Sequence, residues 1–296
     1  MRETLESARQ TIARTDALLE MRERPDPVEW AEHALGGVTL EGFQRQIMRS
    51  DHHRLCAVIC RQGGKSVITG TKAAFEAYTK PGYRIVIVSP SFRQSMLLAV
   101  KIESALNHHG IWYNRVKERL TLANGSSVVV LPGDRPDSIR GFTADAVIID
   151  EIGFLRGGGA ELIPAIMPMI TATNGRLIAI SSPNGPSGFL YDFFHQEGVE
   201  AIQVKASNIA HFDPKVIREI RGRLSPALAS QELDAEWVAS SSSVFDADAI
   251  SRMFAAPDEE LETDNEDVFE AESDLAKRFE LMQQKQRKRD DTWGFG

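Results

Sequence analysis

The chain has 296 residues, 42% hydrophobic and 26% charged, the ordinary balance of a globular protein and enough length for one large domain with appendages. No apolar run approaches the ~20 residues of a membrane-spanning helix, and the N-terminus lacks a signal-peptide core, so a membrane role is not expected. The net charge of −8 is unevenly placed: Pro257 to Gly296 hold 13 acidic against 6 basic side chains, the first 256 residues 29 against 28. The acidity therefore belongs to the tail and does not argue against a nucleic-acid partner.

Residues 3–24 read as a charged helix with a weak apolar face, ended by Pro25 and Pro27. A second short helix, 28–35, surrounds Trp30 and breaks at Gly36-Gly37. From Leu55 the character changes. LCAVIC (55–60), RIVIVS (84–89), AVIID (146–150), RLIAIS (176–181) and IQVKA (202–206) are nearly all apolar instead of alternating, as strands buried on both faces are. Helical segments over about 65–79, 91–109, 160–171 and 188–196 separate most of them, which implies a parallel sheet with right-handed crossovers. RLTLANGSSVVVL, with its Asn-Gly turn, is a hairpin signal at the sheet edge. Two helices are expected at 214–223 and 226–238, then a serine linker at 240–243 and a charged helix at 272–289. Cys56 and Cys60, with no Cys/His cluster to complete a zinc site, read as buried strand residues in a reducing, cytoplasmic setting.

Five stretches carry chemistry. ICRQGGKS (59–66) ends like a phosphate-binding loop, but Ile59 stands where G-x-x-x-x-G-K-[ST] has its first glycine. A nucleotide loop would use the backbone of Arg61, Gln62, Gly63 and Gly64, Lys65 on the β/γ oxygens and Ser66 on Mg²⁺; a Gly-Gly turn beside a lysine is the other reading. VIIDE (147–151) runs a buried strand into two carboxylates, Asp150 suited to Mg²⁺ and Glu151 to activating a water. The two motifs, with a strand–helix unit between them, are jointly much rarer by chance than either alone. They indicate an ATPase with a catalytic glutamate. Ser181, Ser182 and Pro183 end a buried strand where small hydroxyls can sense a γ-phosphate, though taken alone a polar strand end capping a helix is the favoured reading. Arg140, in a Gly-containing loop before the DE strand, suits transition-state charge stabilisation or is a surface arginine. Gln44, after Phe43, carries an amide that can both donate to and accept from an adenine edge.

Together these motifs resemble the ATPase domain of the large terminase subunit, the DNA-packaging motor of tailed bacteriophages. CRQGGKS (60–66) is similar to that family's shortened phosphate loop, FQ (43–44) to its adenine-recognising motif and SIRG (138–141) to its arginine-finger segment. VIIDE looks like the Walker B strand, SSP (181–183) like the coupling motif, and QELDAEWVASSSSVF (231–245) like the end of the lid. The resemblance spans roughly 30–245. It implies a P-loop NTPase of the ASCE, RecA-like type: a mainly parallel sheet flanked by helices, with a small helical lid. The expected organisation is an N-terminal helical segment (1–35), an ATPase core (36–210), a lid and linker (211–245) and an acidic tail (246–296) that is disordered or partner-binding. ATP and Mg²⁺ are the implied cofactors, with Arg61 joining Lys65 on the phosphates. Implied partners are double-stranded DNA, portal protein, the small terminase subunit and further copies in a ring, in the host cytoplasm during virion assembly. Arg93, in SPSFRQ, is a candidate for DNA phosphates. The family's two-metal nuclease has no counterpart in Asp258, Glu259, Glu260 and Glu262, which no buried strand positions, so no nuclease activity is expected in this chain: either the nuclease is a separate polypeptide or the chain is truncated or naturally split. A superfamily-2-like helicase shares several motifs but needs a second RecA-like domain; a non-catalytic assembly protein with a degenerate nucleotide fold is the third reading.

Overall fold

A computed structural model describes residues 24–134, 139–155, 159 and 161–238 of the chain. The helix expected over 3–24 (all but its last residue), Ser138 of the SIRG segment, the serine linker and the acidic tail with its helix lie outside them. Among the described residues no helix is long and apolar enough to cross a membrane.

The apolar runs form strands of one eight-stranded sheet: β1 (Arg54–Ile59), β2 (Arg84–Ser89), β3 (Tyr113–Val116), β4 (Arg119–Leu122), β5 (Ser127–Pro132), β6 (Ala146–Asp150), β7 (Arg176–Ser181) and β8 (Glu200–Val204). Their order is β3-β4-β5-β2-β6-β7-β1-β8. The six from β5 to β8 are parallel, and the β4–β5 and β3–β4 pairs are antiparallel. Three central strands, β1, β6 and β7, are buried almost end to end because helices cover both faces. β8 departs from that expectation. It begins two residues earlier and alternates, burying Ile202 and Val204 but exposing Ala201 and Gln203, because an edge strand pairs on one side only. The expected hairpin is present, and β3 extends it by a strand that short polar YNRV did not reveal.

Helices α1 (Pro27–Ala34), α2 (Gly42–Arg49), α3 (Lys65–Thr79) and α4 (Phe92–His108) lead through the first half. A Cβ on Gly70 of α3 would come within 3.1 Å of Lys101 Cβ and 3.4 Å of Leu98 Cδ1, so the glycine lets α3 and α4 pack closely. Trp30 of α1 meets Phe75 edge-on at 5.4 Å and stacks on His109 at 4.2 Å. That packing puts α1 on the core, so the boundary expected at 35/36 has no counterpart in it. Beyond β6 come α5 (Ile163–Thr171), α6 (Phe189–His195), α7 (Pro214–Arg223) and α8 (Pro226–Asp234). α5 starts later than expected, with a proline in its first turn. α8 stops at Asp234 because Ala235 turns left-handed (φ 53°), leaving Trp237 and Val238 outside the helix.

The order of the central strands positions everything that follows. β7 lies between β1 and β6, so the chain segments that leave the C-terminal ends of all three emerge side by side on one edge.

Candidate active site

The first of those segments answers the question of the missing glycine. Ile59 is still strand, fully buried, and the loop begins only at Cys60. A Cβ on Gly63 would sit 2.7 Å from Ile59 Cγ2 and 3.1 Å from Ile209 Cδ1, so glycine is required there and the isoleucine side chain helps define the turn. Gln62 (φ 60°) and Gly64 (φ 81°) both take left-handed conformations, and the backbone then enters α3 at Lys65. The loop is therefore short, and its amides stand at the N-terminus of a fifteen-residue helix.

Lys65 folds back over the loop with only 5% of its side chain exposed. Its Nζ donates to Cys60 O at 3.1 Å and to Ser182 Oγ at 2.8 Å, and lies 3.6 Å from Glu151 Oε1. One ammonium thus joins the ends of β1, β6 and β7. Glu151 takes a left-handed backbone (φ 55°), uncommon for a residue with a side chain and a mark of a constrained site. Its Oε2 accepts from Ser182 N at 3.3 Å and lies 3.4 Å from Ser181 Oγ, while Ser181 Oγ accepts from Gly153 N at 3.1 Å. Gly153 is pressed against this serine pair, where a Cβ would approach Ser182 O to 3.0 Å and Ser181 Oγ to 3.1 Å. Pro183 then starts the turn toward α6, and Asn184 Nδ2 ties that turn to Gly153 O at 2.6 Å.

Asp150 is buried at the foot of the cluster. Burial pushes its carboxyl up to about 7, Glu151's charge adds to this, and the Ser66 hydroxyl, Lys65 and Lys101 act in the other direction. Its Oδ1 is buried without a hydrogen-bond partner. A carboxylate bonded to the first helical hydroxyl, with one oxygen unpaired among the described residues, fits a small hard cation such as Mg²⁺, which Ser66 and Asp150 could hold.

Gln44 reaches the rim from the other side. Its Oε1 accepts from Glu41 N at 3.0 Å, and its Nε2 would lie 2.9 Å from a Cβ on Gly64. Glu41 also holds the segment after β8, accepting from Ala210 N at 3.0 Å and facing His211 Nδ1 at 3.1 Å. Arg61 is tied to α8. Its Nε pairs with Glu232 Oε2 of α8 at 3.2 Å, and its backbone N donates to Glu232 O at 3.1 Å. Glu232 was not among the expected site residues. The signal was available, because it lies between Ala229 and Leu233 on the face that α8 buries. Burial pushes its carboxyl up, with Arg61 and Lys65 opposing. Arg93 and Arg140 are both exposed, Arg93 in the first turn of α4 and Arg140 directly after buried Ile139. The structure thus brings Gln44, the loop, Lys65, Ser66, Asp150, Glu151, Ser181 and Ser182 together and pairs Arg61 with α8.

Comparison with known proteins agrees with this geometry. The family described as terminase large subunit, T4likevirus-type, N-terminal, matches residues 56–252. The large terminase subunit of Thermus phage G20c is 29% identical over 178 residues, covering 51% of this chain and 35% of that protein. That of Escherichia phage T5 is 25% identical over 224 residues, 71% of this chain and 50% of that protein. The chain therefore spans half or less of the length of these relatives. In fold it is similar to the large terminase ATPase domain of Thermus phage P74-26 (TM-score 0.63, 23% identity, 73% of this chain and 100% of that one). The large terminase of bacteriophage D6E, solved in complex with ADP, has a TM-score of 0.58 at 12% identity, over 67% of this chain and 54% of that one. With a family match over most of its length, and an α/β fold shared with their ATPase domains, the chain belongs to the family of large terminase subunits.

Proposed function

We propose that this chain is the ATP-hydrolysing motor of a DNA-packaging machine, moving double-stranded viral DNA through a portal into a procapsid. The observation that carries the reading is the single hydrogen-bonded cluster of Lys65, Glu151, Ser181 and Ser182 over the unpaired Asp150 oxygen. Lys65 exchanges its bonds to Ser182 and Cys60 for phosphate oxygens, with the loop amides around them. Ser66 and Asp150 would hold Mg²⁺, which would neutralise phosphate charge. Glu151 orients the attacking water and takes its proton; Ser181 and Ser182 hold that carboxylate and feel the loss of the γ-phosphate through it. Gln44 reads the adenine edge. Arg61, released from Glu232, reaches the phosphates, and Arg140 supplies the finger to its own or a neighbouring site.

DNA is gripped by its phosphates without regard to sequence, with Arg93 among the contacts, so binding weakens steeply with salt. Partners are the portal, the small terminase subunit and other copies in a ring. The lid extends from about 211. The test is ATP turnover by the purified chain alone, with DNA, and with portal. Stimulation by portal or a ring is expected, and Arg140→Ala should lose it while ATP affinity holds. Full stimulation by DNA alone, unaffected by portal, would instead favour a helicase-like translocase.

A further inference from the structure

Opposite the site, at the edge where the parallel strands begin, lies a second cluster of charges that the chemistry above does not use. Lys72 and Glu76 of α3 and Arg176 at the start of β7 are all buried. Glu76 Oε1 pairs with Arg176 Nη1 and lies 3.2 Å from Lys72 Nζ and 3.7 Å from Lys80 Nζ. Arg176 also bonds the Tyr83 side chain and lies 4.0 Å from Asp51 Oδ1, but most of the remaining donors go to one stretch of backbone. Lys72 Nζ donates to Ser50 O at 2.9 Å and reaches Met48 O at 3.4 Å. Arg176 Nη2 donates to Ser50 O at 2.9 Å and its Nε to His52 O at 3.0 Å. That stretch, 48–52, is the end of α2 and its connection to β1.

Three rods therefore meet here, and the far end of each carries part of the site. α2 carries Gln44, α3 begins at Lys65 and Ser66, and β7 runs into Ser181 and Ser182. From Glu76 to Lys65 is about 16 Å of helix, and from Arg176 to Ser182 about 20 Å of strand. On rods that long, a tilt of about 3° at the base moves the tip by about 1 Å, a displacement that matters to a bound ligand. Stability alone is a poor reason for such a cluster, because buried ion pairs replaced by apolar side chains of similar volume are often no less stable. What apolar side chains cannot supply is the set of directional bonds to the carbonyls of Met48, Ser50 and His52.

We infer that Lys72, Glu76 and Arg176 are positioning residues that set the distance between the base-reading end of α2 and the phosphate-binding end of α3. The inference rests on the ATP site proposed above. It predicts that loosening the cluster costs base discrimination before it costs the fold. The full chain is compared with Arg176→Lys and with the triple variant Lys72→Met, Glu76→Leu, Arg176→Met. ATP and GTP are each titrated as competitors of a fluorescent ADP analogue, with Gln44→Ala as the reference without base reading, and melting temperatures are taken alongside.

The triple variant trades the ion pairs for apolar packing but leaves the 48–52 carbonyls without these donors, so it should melt within a few degrees of the parent, while its preference for ATP over GTP falls about tenfold, toward that of Gln44→Ala. Arg176→Lys keeps the charge beside Glu76 but cannot span Ser50 O, His52 O and Glu76 at once, so its preference falls in the same direction by about threefold. This conservative variant decides the matter whether or not the triple variant folds. Full wild-type preference in the variants, or a wild-type chain that binds ATP without preferring it over GTP, overturns the inference alone. A wild-type chain that binds neither nucleotide overturns the ATP reading beneath it.

Discussion

Asp150 and Glu76 are two carboxylates buried in the same sheet region, one at the edge where the parallel strands end and one at the edge where they begin. Each keeps one oxygen without a hydrogen-bond partner among the described residues. Burial pushes both carboxyls up, yet they end on opposite sides of the usual range. Lys72, Arg176 and Lys80 overcome burial at Glu76 and hold it low. At Asp150 the strongest charge acting beside burial is another acid, Glu151, and the carboxyl rises to about 7. Desolvation is common to both, so the counter-charge decides the outcome. A buried carboxylate with its cations built in is part of the frame; one left short of positive charge is where an incoming cation gains most.

The contrast can be broken most severely at Glu76. Glu76→Ala leaves Lys72 and Arg176 buried without their counter-ion, which should cost about 3–5 kcal/mol and lower the melting temperature by roughly 10 °C. Thermal denaturation followed by circular dichroism measures this, and a loss near zero would mean that the cations are satisfied by the 48–52 carbonyls alone. At Asp150 the sign reverses. Its folded pKa is raised, so the stability it contributes is present below about pH 4 and lost as pH rises through about 7. Asp150→Asn should therefore raise the melting temperature at pH 8 by up to about 10 °C and flatten its fall between about pH 4 and 7, while abolishing turnover. An unchanged pH profile would show that Asp150 is ionised in the folded chain at no cost. The smallest effect belongs to Lys101, half-buried on α4 and one of the cations acting on Asp150. Lys101→Met should move the alkaline end of that profile upward by less than about one pH unit.

The site end of the sheet was legible in the sequence to a degree that the opposite edge was not. Strands buried on both faces read as continuous apolar runs, and β1, β6 and β7 each end in a change of character: Cys60-Arg61, Asp150-Glu151, Ser181-Ser182. Edge strands give no such signal, which is why β3 went unread and β8 was misplaced by two residues. Sequence order also hid the fact that β7, not β2, stands between β1 and β6. Lys72 and Glu76 read as an ordinary helical ion pair four residues apart. Only the fold, which surrounds α3 on all sides and brings Arg176 from a hundred residues away, makes them buried. Arg61 was read as a phosphate ligand from its place in the loop; that Glu232 is buried was legible in the pattern of α8, but its pairing with Arg61, 171 positions earlier, was not.

The central claim is that the cluster joining Lys65, Ser182 and Glu151 is a hydrolytic site with Glu151 as its base. Its most direct test is single-turnover hydrolysis of ATP by the full chain and by Glu151→Gln, with nucleotide binding followed in the same samples. The account predicts that the variant binds ATP as the parent does and hydrolyses it about 100-fold or more slowly. Equal hydrolysis by the two proteins would remove Glu151 from the chemistry and contradict the account.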